Sequence, residues 1–344
     1  MIYLPSWPNA YPRLNATGTY RARDEDFQVT ELADRQLMGT GEHLYVYVEK
    51  RGTNTQWLAR QLANKANVPL EAVSYAGLKD RHAITRQWFS IQVRNREIPI
   101  SQLAGADWEI LAAERHGAKL KRGALGGNQF RLVIRDIQGD KNALNQRLEL
   151  IRARGVPNYF GPQRFGFNGL NLAMGMKYLA NKKSVRSKSK ASMYISAMRS
   201  YLFNQVLAQR VQDGCWDKPL KGEVFAFAGS LRGFTGDDLP FDLQRWRDGK
   251  IHPTAPMWGR GQSMAQADAL HYEAHLGQSY AALCNGLENI GLKQERRPTR
   301  LLVPDLFWQW QDDSTLTLHF SLASGYYATA LLKELGDFTE GLQE

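Results

Sequence analysis

Residues 73–93 read VSYAGLKDRHAITRQWFSIQV, and this segment predicts two strands joined by a charged turn that contains glycine. The first strand ends at Tyr75, and the second covers 86–93, where apolar and polar side chains alternate as in a half-buried strand. In the turn, Asp80 stands between Lys79 and Arg81, and neighbouring cations favour the ionised form of a carboxylic acid. An ionised aspartate suits a nucleophile or general base that acts on a polyanion. The alternative is a surface loop whose alternating charges are solvated.

A second segment, residues 155–166, reads GVPNYFGPQRFG. Its glycines, prolines and asparagine predict a loop, because they punctuate regular structure. The segment nevertheless carries Tyr159, Phe160, Phe165 and Arg164, and large aromatic side chains are costly to leave exposed in an ordinary loop. We therefore expect this loop to have a function.

Together the two segments resemble the TruD family of tRNA pseudouridine synthases. That family has a Gly-x-Lys-Asp-(Lys/Arg)-His-Ala segment around its catalytic aspartate, which matches GLKDRHA at 77–83. It also has an Asn-Tyr-Phe-Gly-x-Gln-Arg-Phe-Gly segment at the start of a characteristic insertion, which matches NYFGPQRFG at 158–166. The resemblance extends from about residue 17 to about residue 338. It implies an α+β fold, in which an inserted α/β domain interrupts a pseudouridine-synthase-like catalytic domain with a mixed, largely antiparallel sheet.

A chain of 344 residues is long enough for one large or two medium domains. Because 43% of these residues are hydrophobic, the composition is that of a globular protein. No apolar run approaches the roughly 18 residues that a membrane span needs. The N-terminus lacks the basic start and apolar core of a signal peptide. Two cysteines are too few for a disulfide scaffold. We therefore expect a cytoplasmic protein, a monomer with no obligatory protein partner.

The whole chain has a net charge of +10, and its positive charge is concentrated in one part. Between 150 and 212 there is no acidic residue, and a shorter acid-free run covers 115–135. The cations of the longer run are Arg152, Arg154, Arg164, Lys177, Lys182, Lys183, Arg186, Lys188, Lys190, Arg199 and Arg210. Such clusters of cations are typical of proteins that bind a phosphate backbone, but they also occur in proteins that bind a membrane surface or that need the charge for solubility. Interleaved aromatic residues favour RNA, whose unstacked bases need stacking partners: Tyr159, Phe160, Phe165 and Phe167.

Periodicity and turn residues place the remaining elements. Strands are predicted at 20–32, 42–50, 129–135 and 315–322, with short strands in the glycine-rich stretch 221–242. Helices are predicted at 54–66, where Asn54 is the N-cap, and at 142–154, 192–212, 265–289 and 328–335. We place the first part of the catalytic domain at 1–154, an inserted RNA-binding domain at 155–300 and the return of the catalytic domain at 301–344.

The resemblance implies roles for individual residues. Asp80 is the catalytic carboxylate that isomerises uridine, with position 13 of tRNA as the expected target, on a base flipped out of the RNA. Arg21 stands where the family often has lysine, and its planar fork suits a bidentate pair with Asp80. Phe27, Asn128, Phe130 and Tyr327 are expected to contact the substrate. Phenylalanine is commoner in the family at the position of Tyr327.

Four of these residues also have a structural interpretation. Arg21 reads as an exposed strand residue, Phe27 as a core residue, Asn128 as a turn residue and Tyr327 as a packing residue at a helix start. The RNA-binding residues expected from the basic stretch are Arg164, Lys182, Lys183, Lys188 and Lys190.

No cofactor is expected, since a carboxylate suffices for the isomerisation. His271 and His275 are four residues apart, but a third metal ligand does not follow nearby, so no metal site is predicted. The alternatives from other classes are a non-catalytic RNA-binding protein and an RNA ligase or nuclease. A non-catalytic RNA-binding protein gains nothing from a carboxylate aimed at phosphates. An RNA ligase or nuclease would need metal-binding carboxylates or a nucleotide-binding loop.

Overall fold

The computed structural model describes residues 5–33, 35–181, 185–236 and 239–342. The chain forms two compact units, each assembled from three segments. The sheet unit comprises Asn15–Asn145, Val303–Gly325 and Gly336–Glu344. The helix-rich unit comprises Met1–Leu14, Gln146–Leu302 and Tyr326–Leu335.

Strands and helices both occur throughout the described part of the chain. In chain order, the strands are β1 Thr17–Tyr20, β2 Phe27–Leu32, β3 His43–Arg51, β4 Val73–Tyr75, β5 Ile84–Gln92, β6 Trp108–His116, β7 Gly127–Gln138, β8 Val156–Pro157, β9 Val224–Ala226, β10 Phe234–Thr235, β11 His252–Met257, β12 Glu295–Pro298, β13 Arg300–Leu301, β14 Phe307–Trp310, β15 Leu316–Ala323 and β16 Asp337–Glu340. The helices are α1 Thr55–Lys65, α2 Ile100–Leu103, α3 Lys141–Arg154, α4 Leu170–Ala180, α5 Lys188–Gln212, α6 Leu239–Arg247, α7 Ala267–Ser279, α8 Ala281–Asn289 and α9 Ala328–Leu335.

The sheet unit is organised around a mixed sheet with the strand order β14-β15-β7-β2-β5-β3-β6. Strand β1 pairs with β7 and β16, and β4 pairs with β5. The β1–β16 and β2–β5 pairs are parallel, whereas the other described pairs of this sheet are antiparallel. The predicted fold class, α+β with a mixed, largely antiparallel sheet, is confirmed.

One face of this sheet changes from apolar to polar along its strands. Paired residues of neighbouring strands share a face, so the pairs Val46–Phe89 and Leu44–Ile91 lie on the side that also packs against α1. The same face continues across the sheet with the pairs Lys50–Thr85, Val29–Phe130 and Glu31–Asn128. Helix α1 thus covers an apolar part of the face and leaves a part that carries amide, ammonium and carboxylate groups.

The helix-rich unit is built on α5, a helix of 25 residues whose buried side chains include Leu202, Phe203 and Leu207. Its strands form a sheet with the order β10-β9-β11-β12 and a separate β13–β8 pair. Two buried ion pairs lie in this unit, Arg210–Glu223 at 2.8 Å and Arg296–Glu273 at 2.6 Å. Each carboxylate offsets the cost of burying its guanidinium, and removing one partner would leave the other charge unpaired.

Several predicted elements differ from those observed. The single strand predicted at 20–32 is β1 and β2 separated by a 3-10 turn at Asp24–Asp26, where Asp26 accepts a hydrogen bond from the Arg23 amide and pairs with Arg135. The single helix predicted at 265–289 is α7 and α8, which meet at Tyr280. Residues 239–247 are helical, although 221–242 was predicted to hold short strands.

The compact units also differ from the predicted boundaries at 1–154, 155–300 and 301–344. Helix α9, predicted in the returning catalytic segment, belongs to the helix-rich unit. There the Glu334 carboxylate accepts a hydrogen bond from the Ala10 amide at 3.0 Å, and the Glu334 carbonyl accepts one from Arg147 at 2.5 Å. The assignment of catalysis and RNA binding to separate domains stays a prediction.

Four aromatic residues were expected to stack on RNA, and the expectation is wrong for the three that lie in the second segment. Tyr159, Phe160 and Phe165 are buried, because the loop packs into the helix-rich unit: Phe160 lies edge-on to Phe203 of α5. Phe167 alone of the four is exposed, with 85% of its surface accessible. Among the described residues, no helix is both long enough and apolar enough to cross a membrane.

Candidate active site

Asp80 lies in the loop between β4 and β5, and buried polar side chains hold that loop against the sheet. The Lys50 ammonium donates hydrogen bonds to the carbonyl oxygens of Asp80 at 2.7 Å and of Thr53 at 2.6 Å. The Thr55 hydroxyl accepts a hydrogen bond from the Lys79 amide at 3.0 Å, and the Gln87 amide donates one to the Gly77 carbonyl at 3.1 Å. The loop backbone is therefore fixed on both sides of Asp80, which favours a set position for its carboxylate.

Arg21 is the ion-pair partner of Asp80, as predicted, and its Nη2 lies 2.8 Å from Asp80 Oδ2. The predicted bidentate pair is wrong, because Nη1 donates to the carboxylate of Glu340 in β16 and Nε has no hydrogen-bond partner among the described residues. Arg21 is 7% exposed whereas the Asp80 side chain is 40% exposed, so the carboxylate is the accessible member of the pair. An accessible carboxylate with a buried cation behind it has the arrangement that a nucleophile or base requires.

The backbone of Arg21 has a positive φ of 54°, which is uncommon for a residue other than glycine. The amides of Gly341 and Leu342 donate hydrogen bonds of 2.9 Å to the carbonyl oxygens of Tyr20 and Arg21. This return segment therefore stabilises a backbone conformation that would otherwise be disfavoured. Such local strain is found where the position of a side chain matters for function.

Three phenylalanine rings form an aromatic cluster beside the ion pair. Phe130 stacks on Phe320 with centroids 5.2 Å apart, and Phe27 meets Phe130 edge-on at 6.2 Å. The Arg21 guanidinium lies over the Phe27 ring, 3.7 Å from its centroid. Phe27 and Phe130 are 5% and 7% exposed. The cluster thus supports Arg21, and the predicted contacts of Phe27 and Phe130 with a nucleotide stay predictions.

Lys79 does not face Asp80, although it precedes it in the chain. Its Nζ donates a hydrogen bond to Asn128 Oδ1 at 2.8 Å and lies 3.8 Å from Glu31 Oε2. Gly127, before Asn128, must be glycine, because a Cβ atom there would overlap the Leu322 carbonyl oxygen of β15. The cation in contact with Asp80 is therefore Arg21 and not its sequence neighbour Lys79.

Burial changes the proton affinities of three groups at this site. Desolvation lowers the pKa of Lys50 to about 8, although the Asp80 carboxylate opposes that effect. Burial likewise lowers the pKa of Lys79, against the raising influence of Glu31 and Asp80. The pKa of Glu31 is raised by burial, which outweighs the nearby Lys79 and Arg35. Desolvation penalises the charged form of each group, and the neighbouring opposite charges oppose that penalty. The charge of each group therefore depends on the charges of its neighbours.

Tyr327 and Arg164 lie in the helix-rich unit. The Arg164 guanidinium donates hydrogen bonds to the Tyr327 hydroxyl and to Ser196 Oγ, the latter at 3.0 Å. The Tyr327 ring lies 6.0 Å from the ring of Phe160. These contacts give both residues a structural role within their unit. Their predicted roles in binding substrate and RNA stay predictions.

The predicted RNA-binding lysines fall in two groups. Lys182 and Lys183 lie outside the described residues. Lys188 and Lys190 are exposed in the first turn of α5, which contains no acidic residue. The positive end of the helix dipole makes cations unfavourable at this place, so these lysines do not stabilise the helix. Their predicted role in binding RNA stays a prediction.

The described residues contain no group of three or more His, Cys, Asp and Glu side chains suited to hold a metal ion. His275 contacts Ser279, with 3.1 Å between Nε2 and Oγ.

Sequence analysis did not identify Lys50, Glu31 or Glu340 as part of the site. Lys50 and Glu31 sit at alternating positions of β3 and β2, where a single charged residue reads as solvent-facing. Glu340 lies 319 positions from Arg21, and no local pattern links the two. A charged residue on the apolar side of a strand alternation is the one signal that would have marked Lys50 and Glu31.

Comparison with known proteins gives a consistent family assignment and confirms the resemblance seen in the sequence. The family model described as tRNA pseudouridine synthase D (TruD) matches residues 13–184 and 180–335. A tRNA pseudouridine synthase D from Methylococcus capsulatus is 42% identical over 340 residues, which are 96% of this chain and 94% of that protein. Its counterpart from Nitrosococcus oceani is 45% identical, over 93% of this chain and 90% of that protein.

A solved structure supports the same fold. The crystal structure of the putative tRNA pseudouridine synthase D (TruD) from Methanosarcina mazei superposes with a TM-score of 0.76. It covers 95% of both chains at 21% sequence identity. From the family match and the curated relatives, the chain belongs to the tRNA pseudouridine synthase D (TruD) family, a family of isomerases.

Proposed function

We propose that this chain converts uridine in tRNA to pseudouridine and that Asp80 is its catalytic carboxylate. The observation that carries the proposal is the Arg21–Asp80 ion pair, 2.8 Å long, with its carboxylate side exposed, in a chain of this family. In the reaction the N1–C1′ bond of uridine breaks and a C5–C1′ bond forms. The C5 proton is lost and N1 gains a proton, so the composition is unchanged and no oxidant or group donor is required.

Asp80 acts as an ionised carboxylate. It attacks ribose C1′, attacks the pyrimidine ring or takes a proton from the sugar, and the residues present are compatible with each of these first steps. The loop anchors Lys50, Thr55 and Gln87 reduce the freedom of its backbone, which lowers the entropic cost of a productive geometry.

Arg21 holds the Asp80 carboxylate and balances its charge. The second carboxylate, Glu340, fixes the other side of the guanidinium, and the Phe27 ring lies beneath it. These two contacts keep the cation in place while Asp80 engages the substrate. A planar guanidinium suits the arrangement because it can contact two carboxylates and one ring at once.

The target base must leave the RNA stack to reach Asp80, since a paired base hides its glycosidic bond. Flipping requires binding energy from contacts with the rest of the tRNA. We assign those contacts to the acid-free stretch 150–212, including the exposed Lys188, Lys190 and Phe167. Cations bind the phosphates, and an exposed ring is available for stacking.

We further propose position 13 of tRNA as the target and the cytoplasm as the location. We propose a monomer as the active form, because Asp80, Arg21 and Glu340 all come from one chain. The test maps pseudouridine in total tRNA from cells with and without the gene, and in unmodified transcripts treated with the purified protein. Loss of one pseudouridine in the deleted strain and its formation in vitro are expected. RNA binding without any pseudouridine formation would contradict the proposal and favour a non-catalytic RNA-binding protein.

A further inference from the structure

Strand β16 brings a second carboxylate to the guanidinium of Arg21. In the parallel pair of β1 and β16, Glu340 lies opposite Tyr20, the residue before Arg21. The chain then passes close to the backbone of β1. A Cβ atom at Gly341 would come within 2.8 Å of the Ala22 Cα, so glycine permits this approach. The backbone pairing around Glu340 therefore sets the place of its carboxylate.

The three nitrogens of the Arg21 guanidinium have different surroundings. Nη2 lies 2.8 Å from Asp80 Oδ2, and Nη1 donates a hydrogen bond to Glu340 Oε1. Nε is buried and has no hydrogen-bond partner among the described residues. A guanidinium that meets a carboxylate frequently uses two of its nitrogens at once, one for each oxygen. Arg21 instead divides its nitrogens between two carboxylates.

This division leaves one oxygen of Asp80 free. Asp80 Oδ1 accepts no hydrogen bond from the described residues, and 40% of the side chain is exposed. A carboxylate acts as a nucleophile or a base through a lone pair on one of its oxygens. A bidentate guanidinium would engage both oxygens in charge-assisted hydrogen bonds, one of which would have to break before the reaction.

Tyr20 holds the other oxygen of Glu340. Its hydroxyl donates a hydrogen bond to Glu340 Oε2 at 3.3 Å. Burial, with a further contribution from Glu340, raises the pKa of Tyr20 to about 12, so the hydroxyl keeps its proton and stays a donor. Because one oxygen contacts Tyr20 and the other contacts Arg21, Glu340 is a fixed acceptor that competes with Asp80 for the guanidinium.

We propose that Glu340 limits the contact between Arg21 and Asp80 to one nitrogen, so that Asp80 Oδ1 is free to react with the target uridine. Glu340 is then a positioning residue that acts through Arg21. The inference rests on the proposed function and makes it more specific. It also gives a reason for arginine at position 21, since a lysine has one nitrogen and cannot present a separate nitrogen to each carboxylate.

Removal of the Glu340 carboxylate tests the proposal. Glu340→Ala releases Nη1, which then turns to Asp80 and closes a bidentate pair. The single-turnover rate on tRNA transcripts should fall roughly ten- to a hundredfold while the affinity for tRNA stays unchanged. Glu340→Gln keeps an acceptor oxygen at the same reach and should recover part of the rate. A Glu340→Ala rate equal to that of wild type would overturn the proposal.

Glu49→Ala is the matched control. The Glu49 side chain is 26% exposed, as is that of Glu340, and it also pairs with an arginine of the sheet unit, Arg86. Its single-turnover rate should stay within about threefold of wild type. Circular dichroism checks that each variant is folded, and Glu340→Leu, which keeps the bulk of the side chain, replaces Glu340→Ala if that variant does not fold.

The residue at position 21 separates this role from a general loss of structure. In an Arg21→Lys background, Glu340→Ala should cost less than about threefold, because one ammonium nitrogen cannot occupy both oxygens of Asp80 as a guanidinium does. A loss as large as in the arginine background would overturn the proposal, since it would mean that Glu340 acts through the stability of β16 and not through the guanidinium.

A crystal structure of the Glu340→Ala protein tests the geometry itself. Two nitrogens of Arg21 should each lie within about 3 Å of an oxygen of Asp80, as in a bidentate pair. A guanidinium that still contacts Asp80 through one nitrogen would overturn the proposal even if the rate falls. A wild-type protein that forms no pseudouridine contradicts the proposed function itself, whereas an active wild type whose variants fail these tests contradicts only the role of Glu340.

Discussion

Lys50 links the pH dependence of folding to the position of Asp80. Its side chain is buried, with 1% of the residue exposed, and its Nζ donates to two backbone carbonyls, one of them that of Asp80. Neither contact is an ion pair, so desolvation dominates and lowers the pKa of Lys50 from 10.5 to about 8. We predict that the wild-type protein gains stability relative to Lys50→Met as the pH rises above about 8.

The sign follows from proton binding in the two states. Between about pH 8 and 10.5 the folded protein has released the Lys50 proton while the unfolded chain still holds it, so raising the pH favours the folded state. Each pKa unit is worth ~1.4 kcal/mol, so the full window corresponds to ~3 kcal/mol. Between about pH 7.5 and about pH 9.5 the difference in free energy of unfolding should grow by ~2 kcal/mol in favour of wild type.

Urea denaturation across this pH range, followed by tryptophan fluorescence, measures the effect as a shift in midpoint. Subtracting the Lys50→Met curve removes the titration of all other groups. Lys121→Met is the matched control, because Lys121 is an exposed lysine of the same unit and its difference from wild type should stay flat. A flat Lys50→Met difference would refute the reasoning, since it would mean that Lys50 keeps its proton in the folded state across the range.

Three further predictions concern the site and its RNA contacts. Arg21→Met should lower the single-turnover rate roughly ten- to a hundredfold, whereas Arg21→Lys, which keeps the charge, should lose less; equal losses would contradict a role for that charge. The double variant Lys188→Ala, Lys190→Ala should reduce the slope of log affinity against log salt by roughly 0.7–0.9 for each phosphate that is no longer bound, and it should slightly stabilise α5. Adding Lys182→Ala and Lys183→Ala should reduce the slope further. An unchanged slope in the quadruple variant would place the RNA elsewhere, as along 115–135. Activity should survive exhaustive dialysis against EDTA once magnesium for tRNA folding is restored, and a loss that only zinc reverses would contradict cofactor-free catalysis.

Local signals in the sequence predicted the local parts of the structure. Helix α1 begins after Asn54, whose side chain accepts hydrogen bonds from the Gln56 and Trp57 amides, as its N-cap position indicated. The loop that carries Asp80 lies between β4 and β5, as the turn residues and alternation predicted. In each case the signal and the structure involve the same few residues, so neighbours in the sequence sufficed.

The remaining features depend on contacts between distant segments. Tyr159 and Phe165 were expected at an RNA surface, but the tertiary core into which they pack is not encoded in their own loop. Strand β16, which supplies Glu340 to Arg21, is four residues long and becomes a strand by pairing with β1. Lys79 has Asp80 as its neighbour in sequence, but its contacts are Asn128 and Glu31, because the loop turns its side chain towards the sheet.

The most direct test of the central claim is the single-turnover rate of the Asp80→Asn protein on an unmodified tRNA transcript. The substitution keeps the shape of the side chain and leaves the backbone carbonyl that Lys50 contacts, while it removes the negative charge and replaces one acceptor oxygen by an NH2 group. We predict that pseudouridine formation falls to background while the affinity for tRNA stays close to that of wild type. Turnover clearly above background in the purified Asp80→Asn protein would contradict the assignment of Asp80 as the catalytic carboxylate.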